Sequence, residues 1–306
     1  MCGIVGLHLK RQPRHRGLDA RLGELLAPML DAMATRGPDS AGIAVYGPAA
    51  ADGTLRYSLR AGETAGWPGY WDELAARLTR ELGTPVTSEP RGSGGAVLAA
   101  RAGPDRMLEC LRQRAPGAAL AGYGHAMEIY KDTGAPSDIC ARYGVQARAG
   151  YQGIGHTRMA TESAVTTSHS HPFAPAADLA LVHNGSFSNY ATVRRRLARE
   201  GIACETDNDS EVAARFIAWQ MSQGRDLADA LRMVLKDLDG FFTLLVTTAT
   251  QFAVVRDSFA CKPLVVAETP GYVAVASEYH ALAGLPGITG ADVFEPMPEE
   301  IHAWTR

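Results

Sequence analysis

Met1-Cys2-Gly3-Ile4-Val5-Gly6 opens the chain and places a cysteine directly after the initiator methionine. Methionine is usually removed before a residue as small as cysteine, so Cys2 would then carry both a thiol and a free α-amine. The α-amine has a reference pKa of about 8, so much of it can be neutral and can accept the thiol proton. An N-terminal amine is a recognised alternative to histidine as the activating base. Cys2 is therefore a candidate nucleophile, although cysteines at position two are mostly incidental.

The composition is that of an ordinary soluble protein and excludes several classes of function. The 306 residues are 46% hydrophobic and 21% charged, with a net charge of −3. This length permits a substantial core, and the charge offers no case for binding nucleic acid or acidic membranes. Five widely spaced cysteines without a CxxC pair argue against disulfides and structural zinc. No apolar run long enough for a membrane span or a signal peptide is present, so we expect a cytoplasmic protein.

The hydrophobic pattern predicts strands, then helices, then strands again. Strands are predicted at 4–9, 42–46, 151–157 and 178–183, and helices at 18–33, 71–82, 105–115, 189–200, 209–223 and 226–238. Four later runs, at 241–248, 251–256, 263–267 and 272–276, are spaced like an antiparallel meander. This order indicates two packed antiparallel sheets with helices outside, a layered α+β domain.

Two polar clusters interrupt this pattern. Arg36-Gly37-Pro38-Asp39-Ser40 lies between a helix and a strand, and Gly-Pro-Asp is typical of a plain turn. In Gly155-His156-Thr157-Arg158-Met159-Ala160-Thr161 a strand ends in an arginine among hydroxyl groups. The planar guanidinium suits bidentate binding of a carboxylate, but a structural salt bridge would explain Arg158 equally well.

Two further segments suggest donors for an anion and a carboxylate for a cation. Asn184-Gly185 follows an apolar strand; Asn-Gly ordinarily forms a tight turn, but its side-chain amide and backbone N–H are also a ready pair of oxyanion donors. The run from Glu205 to Glu211 is acidic. It would cap a helix favourably, or it would hold a substrate ammonium. His156, His169 and His171 form a weak metal pattern without a cysteine partner, and no metal site is predicted.

Taken together, these segments resemble the class II glutamine amidotransferases, the type with an N-terminal nucleophile. Each segment is weak alone, but five occur in the family's order. They are Met1-Cys2-Gly3-Ile4-Val5-Gly6, Arg36-Gly37-Pro38-Asp39-Ser40-Ala41-Gly42, Gly155-His156-Thr157-Arg158-Met159-Ala160-Thr161, Val182-His183-Asn184-Gly185 and Asp209-Ser210-Glu211. The resemblance implies a four-layer αββα sandwich of two antiparallel sheets, the N-terminal nucleophile hydrolase fold. The domain prediction is one class II domain over 1–306 with an insertion at about 48–149.

The resemblance also implies catalytic roles. Cys2 would attack the side-chain amide of L-glutamine with its own amine as base, and a thioester at Cys2 would be hydrolysed to glutamate. The NH2 group of Asn184 and the backbone N–H of Gly185 would stabilise the oxyanion. Arg36, on a loop that closes over the substrate, would support the nucleophile.

Substrate binding follows from the same resemblance. Arg158 would hold the α-carboxylate of glutamine, with Thr161 assisting, and Asp209 would hold the α-ammonium. Asp209 is preferred over Asp207 because Asp-Ser-Glu at the start of a helix is the family pattern. Met159 and Glu162 stand where some relatives have tryptophan and histidine, which leaves the gating of ammonia release open.

The narrower resemblance is to amidotransferase subunits of glutamate synthase and N-methylglutamate synthase complexes. It rests on the spacing of about 100 residues between Gly47 and Gly150 and on two segments within it, Met127 to Gly134 and Ile139 to Gly144, together with His156 to Ser163. No stretch remains for an acceptor domain, so ammonia is expected to pass to separate synthase subunits. Any flavin or Fe–S cluster would belong to those partners, and no cofactor is expected in this chain. A stand-alone glutaminase or related amide hydrolase, and a non-catalytic glutamine-sensing subunit, remain alternatives.

Overall fold

Two antiparallel sheets lie face to face at the centre of the fold. The computed structural model describes residues 2–11, 17–62, 67–160 and 164–306. The first sheet has seven strands: β1 (Gly3–Leu9), β2 (Ser40–Tyr46), β7 (Met127–Thr133), β8 (Gln152–Arg158), β13 (Val265–Glu268), β14 (Tyr272–Ala276) and β15 (Asp292–Phe294). Their order is β15-β13-β14-β1-β8-β2-β7, so β1, which follows Cys2, is the central strand.

The second sheet has five strands and carries the predicted Asn-Gly pair. Its members are β9 (Phe173–Ala176), β10 (Leu179–Phe187), β11 (Gly240–Thr247), β12 (Gln251–Arg256) and β16 (Ile301–Thr305), in the order β16-β12-β11-β10-β9. A buried layer that includes Ile4, Ile154, Val182 and Leu245 joins the two sheets. The central strands of both sheets, such as β1, β2, β12 and β14, are buried on both faces, which explains their nearly continuous apolar sequences.

Helices cover the outer face of each sheet. The outer face of the first sheet packs on α1 (Leu22–Asp31) and α4 (Pro136–Tyr143). That of the second packs on α5 (Tyr190–Arg199), α6 (Asp209–Ser222) and α7 (Leu227–Asp237). The predicted four-layer αββα sandwich is therefore confirmed.

The four late strands do not form one meander, and this part of the prediction is wrong. β11 pairs with β12 in the second sheet, whereas β13 pairs with β14 in the first. The chain crosses between the sheets after Arg256. The spacing of the apolar runs indicates hairpins correctly, but each hairpin is buried on both faces, so nothing in the pattern tells which sheet it joins.

A third sheet occupies much of the segment predicted as an insertion. It consists of β3 (Leu55–Ala61), β4 (Val86–Arg91), β5 (Gly95–Ala100) and β6 (Ala118–Gly124), in the order β4-β5-β3-β6. With α2 (Tyr70–Leu82) and α3 (Pro104–Arg114) it has its own apolar core. β7 and α4 also fall within 48–149 but belong to the central layers. The division into one domain with an insertion stays a prediction.

Hydrogen bonds attach the third sheet to the sandwich. The backbone N–H of Ile129 on β7 donates to Ser58 Oγ on β3 at 2.9 Å, and Arg60 Nε donates to Asp132 Oδ1 at 3.0 Å. Within the described ranges, none of the helices has the length and apolar character needed to cross a bilayer.

Candidate active site

Cys2 lies directly before the central strand of the first sheet. Gly3, the first residue of β1, pairs with Thr157 on β8. A Cβ at Gly3 would lie 2.6 Å from Met33 Cβ and 2.7 Å from Thr157 Oγ1, so a larger residue would push this strand end outward. Side chains alternate along a strand, so Cys2 lies on the same face as Ile4, towards the second sheet.

The thiol of Cys2 is partly enclosed. Its Sγ is 3.9 Å from the carbonyl oxygen of Met159, which follows β8. Burial raises the pKa of the Cys2 thiol, while the positive charges of Arg158 and Lys262 oppose this shift. The thiol therefore rests in its protonated form at neutral pH, and any attack by sulfur requires a base to remove the proton.

Arg36 reaches the backbone of the candidate nucleophile. Its Nε donates to the carbonyl oxygen of Cys2 at 3.1 Å, and its Nη1 forms an ion pair with Glu278. Ser277, next to Glu278, accepts a hydrogen bond from the N–H of Ile4 through Oγ at 2.9 Å. Three side chains thus fix the start of β1, and sequence reasoning identified Arg36 but neither Ser277 nor Glu278.

Asp39 fastens the Arg36 loop to the end of β8. Its Oδ2 accepts from the N–H of Ala160 at 2.7 Å, and its own N–H donates to the carbonyl oxygen of Arg158 at 3.1 Å. The Gly-Pro-Asp segment therefore does more than turn the chain, because it holds the backbone on both sides of Met159. Sequence reasoning missed this role of Asp39, because no local pattern signals a bond to a residue so far along the chain.

Arg158 is the last residue of β8 and is 5% exposed. Ile154 packs between the two sheets, and strand alternation places Arg158 on that face, four residues further along the strand. Its Nη1 donates to the carbonyl oxygen of Ala164 at 3.0 Å, and the residue has further contacts. Thr161, predicted to assist at the carboxylate, lies outside the described residues.

Asn184 lies across the gap, on β10. Strand alternation places it on the face of Val182, which packs between the sheets. Asn184 is 2% exposed, and its Nδ2 has no hydrogen-bond partner among the described residues. An unsatisfied buried amide is costly, and such groups in native structures call for an explanation. One explanation is that Asn184 Nδ2 is a donor for negative charge that develops during a reaction.

Gly185 has a backbone that favours glycine. Its φ is +151°, and a Cβ would lie 2.1 Å from the carbonyl oxygen of Phe241. β9 pairs with β10 at Leu179 and Leu181. Beyond Leu181 this edge of β10 no longer pairs with β9. The N–H of Phe187 points to this edge and donates to Asp209 Oδ2 at 2.9 Å. Because residues two apart direct their N–H groups to the same side of a strand, the N–H of Gly185 also faces this open side.

The two candidate aspartates differ in burial and in partners. Asp209 is the first residue of α6, its side chain is 22% exposed, and it contacts the end of β10 through Phe187. Asp207 is 74% exposed and bonds to His169 Nε2 at 2.6 Å. The structure therefore brings Asp209 to the strand end that carries Asn184 and Gly185, and it places Asp207 on an outer loop.

Three histidines are buried behind these residues. His156 and His171 are stacked with ring centroids 4.0 Å apart, and His156 Nε2 lies 2.9 Å from the carbonyl oxygen of His183. His183 Nδ1 lies 2.7 Å from Ser210 Oγ, next to Asp209. Burial lowers the pKa of all three, that of His156 to about 3. They are therefore neutral packing groups, and sequence reasoning had considered His156 and His171 only as metal ligands.

Comparisons with known proteins agree with this geometry. Residues 156–284 match the family described as "Glutamine amidotransferase domain". The chain is 46% identical to the glutamine amidotransferase-like protein GlxB of Rhizobium meliloti (strain 1021), over 99% of this chain and 98% of that protein. It is 34% identical to a putative glutamine amidotransferase of Methanothermobacter thermautotrophicus (strain Delta H), over 99% of both chains.

A solved structure shares the fold. The structure of the allosteric regulatory enzyme of purine biosynthesis aligns with a TM-score of 0.63 at 19% identity, over 99% of this chain and 46% of that one. At this identity the likeness concerns the fold alone, which is that of the N-terminal nucleophile hydrolases. Since the two sequence relatives align along nearly their whole length, this chain belongs to the glutamine amidotransferase family.

Proposed function

We propose that this chain is an amidotransferase subunit that hydrolyses L-glutamine through a thioester at Cys2 and passes ammonia to a partner synthase. The observation that carries the proposal is the strand arrangement: the start of β1, with Cys2, lies beside the end of β8, with Arg158. The end of β8 faces β10, which carries Asn184 and is bonded near its end to Asp209. The unpartnered amide of Asn184 supports it most directly, because that amide is a buried donor directed into the gap.

The first chemical step is attack by sulfur on the side-chain amide carbon of glutamine. After removal of Met1, the free α-amine of Cys2 takes the thiol proton as the C–S bond forms. The raised pKa of the buried thiol makes such a base necessary. The amide oxygen gains negative charge, and Asn184 Nδ2 and the Gly185 N–H donate to it.

Collapse of this intermediate breaks the C–N bond. The ammonium form of the α-amine returns its proton to the leaving nitrogen, which departs as ammonia and leaves a thioester on Cys2. Water then attacks the thioester carbonyl, with the same amine accepting its proton. The C–S bond breaks, glutamate is released, and the thiol is restored.

Substrate recognition uses opposite charges at the two ends of the amino-acid group. The guanidinium of Arg158 binds the α-carboxylate, and the carboxylate of Asp209 binds the α-ammonium. Thr161 is proposed to assist Arg158. Arg36 supports the reaction indirectly, since it fixes the carbonyl group of Cys2 and not its sulfur.

The proposed recipient of ammonia is a separate synthase of the glutamate synthase or N-methylglutamate synthase type. Two segments on which the narrower resemblance rests lie at the edge of the first sheet. Segment 127–134 contains the edge strand β7, and segment 139–144 contains most of α4, which packs beside that sheet. Any flavin or Fe–S cluster is proposed to belong to the partner chains. Glutaminase activity that is low alone and rises with the partner would support this, whereas full activity without a partner would support a stand-alone hydrolase. Glutamine binding without turnover would indicate a sensing subunit.

The central test is Cys2→Ala, with the exposed Cys261→Ala as its matched control. We expect the first variant to lose glutamate release while keeping its thermal midpoint, and the second to retain full activity. A glutamine-analogue electrophile should add its mass to residue 2 of the wild-type protein and not to Cys2→Ala. Continued turnover by Cys2→Ala would rule out the mechanism.

A further inference from the structure

A cavity of about 880 Å³ lies where the third sheet meets the edges of the two central sheets. Leu108 and Leu120 of the third-sheet unit form one wall, and Lys131 and Phe173, on the edge strands β7 and β9, form another. The volume is in the range of small-molecule sites, which are mostly apolar with a few placed polar groups. Of the described residues proposed for glutamine hydrolysis, neither Cys2 nor Arg158, Asn184, Gly185 or Asp209 lines it.

Lys131 is the unusual residue of this cavity. It is 8% exposed, and its Nζ donates to the carbonyl oxygens of Ser170 at 2.9 Å and Pro172 at 3.1 Å. The same Nζ lies 5.1 Å from the centroid of the Phe173 ring. An ammonium group has three N–H donors, so these two carbonyl groups leave one for an occupant of the cavity.

The other buried or half-buried cations of the wall are already paired with carboxylates. Arg60 bonds to Asp132 at 3.0 Å, and Arg215 bonds to Glu211 at 2.6 Å. In contrast, Lys131 Nζ forms no ion pair with a carboxylate among the described residues. Lys131 is thus a buried cation whose direct partners are carbonyl oxygens and an aromatic face, while Glu211 and Glu205 attract its charge only from a longer distance.

This arrangement leaves a charge that an anion would compensate. Burial lowers the pKa of Lys131 to about 8, so the amine is still mostly protonated at neutral pH. Keeping a charge in a poorly solvated place is costly without a counter-ion. An acidic group in the cavity would form a charge-assisted hydrogen bond with the remaining N–H of Lys131.

We propose that this cavity binds a small molecule with one anionic group, a carboxylate or a phosphate, at Lys131. The apolar or aromatic body of the molecule packs against Leu108, Leu120 and Phe173. This cavity is separate from the residues proposed for glutamine hydrolysis. Binding of a ligand in the cavity can therefore be measured whether or not the proposed glutaminase activity is found.

The test measures binding of benzoate, phenyl phosphate and uncharged benzamide by titration calorimetry and saturation-transfer NMR. We expect at least one of the two acids to bind and benzamide to bind about tenfold more weakly or not at all. The acid that binds more tightly identifies the preferred anionic group. Failure of both acids to bind at millimolar concentration, or equal binding of benzamide, would overturn the proposal.

Three variants locate the binding. Lys131→Met keeps the length of the side chain without its charge and should weaken acid binding at least about tenfold. Leu108→Trp, on the half-buried face of α3, should weaken acid binding by filling the cavity while Lys131 stays in place. This variant tests the location of the site if Lys131→Met does not fold. The exposed Lys236→Met on α7 should bind like wild type. Unchanged binding in Leu108→Trp, or in a folded Lys131→Met, would contradict the assignment.

Discussion

Asp209 and Asp207 are two residues apart, yet their surroundings predict different effects on catalysis. Asp209→Asn removes the charge proposed to hold the α-ammonium but keeps an oxygen that can accept from the N–H of Phe187. A hydrogen bond to a charged group contributes about 1.5–3 kcal/mol, so KM for glutamine should rise roughly 10- to 100-fold. Steady-state kinetics with glutamine as the varied substrate measures this.

Asp207→Asn is the matched control, because its carboxylate contacts His169 on an exposed loop. Its KM should stay within about twofold of wild type, since exposed ion pairs contribute little. A larger rise in KM for Asp207→Asn than for Asp209→Asn would transfer the ammonium-binding role to Asp207.

Single residues also mark where sequence reasoning about the site succeeded and where it could not. Cys2, Arg158, Asn184 and Asp209 belong to short motifs, so their types and order predicted a common site. Asp39 and Ser277 act on backbone groups far away in sequence, Asp39 on Ala160 at a separation of 121 residues and Ser277 on Ile4 at a separation of 273. No local pattern signals such a bond, because the distance between its partners is set by strand pairing.

At the scale of one strand, the close packing at the start of β1 predicts that Gly3→Ala displaces Cys2. The added methyl group would meet Met33 Cβ at 2.6 Å and Thr157 Oγ1 at 2.7 Å. Overpacking of this kind costs about 1–3 kcal/mol. We expect a lower free energy of unfolding in urea together with a glutaminase rate reduced by at least about tenfold, since small misplacements of reacting groups are costly.

Gly284→Ala is the corresponding control, because nothing lies within 4 Å of the added Cβ. Both its stability and its rate should match wild type. If Gly3→Ala behaved in the same way as Gly284→Ala, the proposed requirement for close approach at Gly3 would be wrong.

Whole elements were predicted well where their apolar pattern was long and poorly where it was short or mixed. The helices α2, α6 and α7 and most central strands were placed to within one or two residues, but β10 extends four residues beyond its predicted end and includes Asn184 and Gly185. All four strands of the third sheet were missed. β4, for example, reads Val-Thr-Ser-Glu-Pro-Arg, and β6 is mostly alanine and glycine. Their pairing partners, not their own sequences, make them strands.

At the scale of the whole molecule, the sandwich encloses neutral histidines and this should make it sensitive to acid. His156, His171 and His183 are buried, and burial lowers the pKa of each in the folded protein. In the unfolded chain a histidine titrates near its reference pKa of about 6.5. Below that pH the unfolded state therefore binds more protons than the folded state. The stabilisation that the three neutral histidines contribute to the folded protein is complete above about pH 6.5 and is lost as the pH falls.

Urea unfolding between pH 7.5 and pH 5 measures how the free energy of unfolding depends on pH. In this range carboxylates contribute little to that dependence, because they titrate at lower pH. Each histidine that stays neutral while folded adds a slope of about 1.4 kcal/mol per pH unit well below its unfolded pKa. His156 and His171, whose pKa values are lowered most, should together give about 3 kcal/mol per pH unit near pH 5, and His183 adds to this slope in the same direction. His171→Phe, which replaces a ring stacked against His156, should reduce this slope by about 1.4 kcal/mol per pH unit, whereas the exposed His125→Asn should leave it unchanged. A free energy of unfolding that stays constant from pH 7 to pH 5 would contradict the neutral, buried state of all three rings.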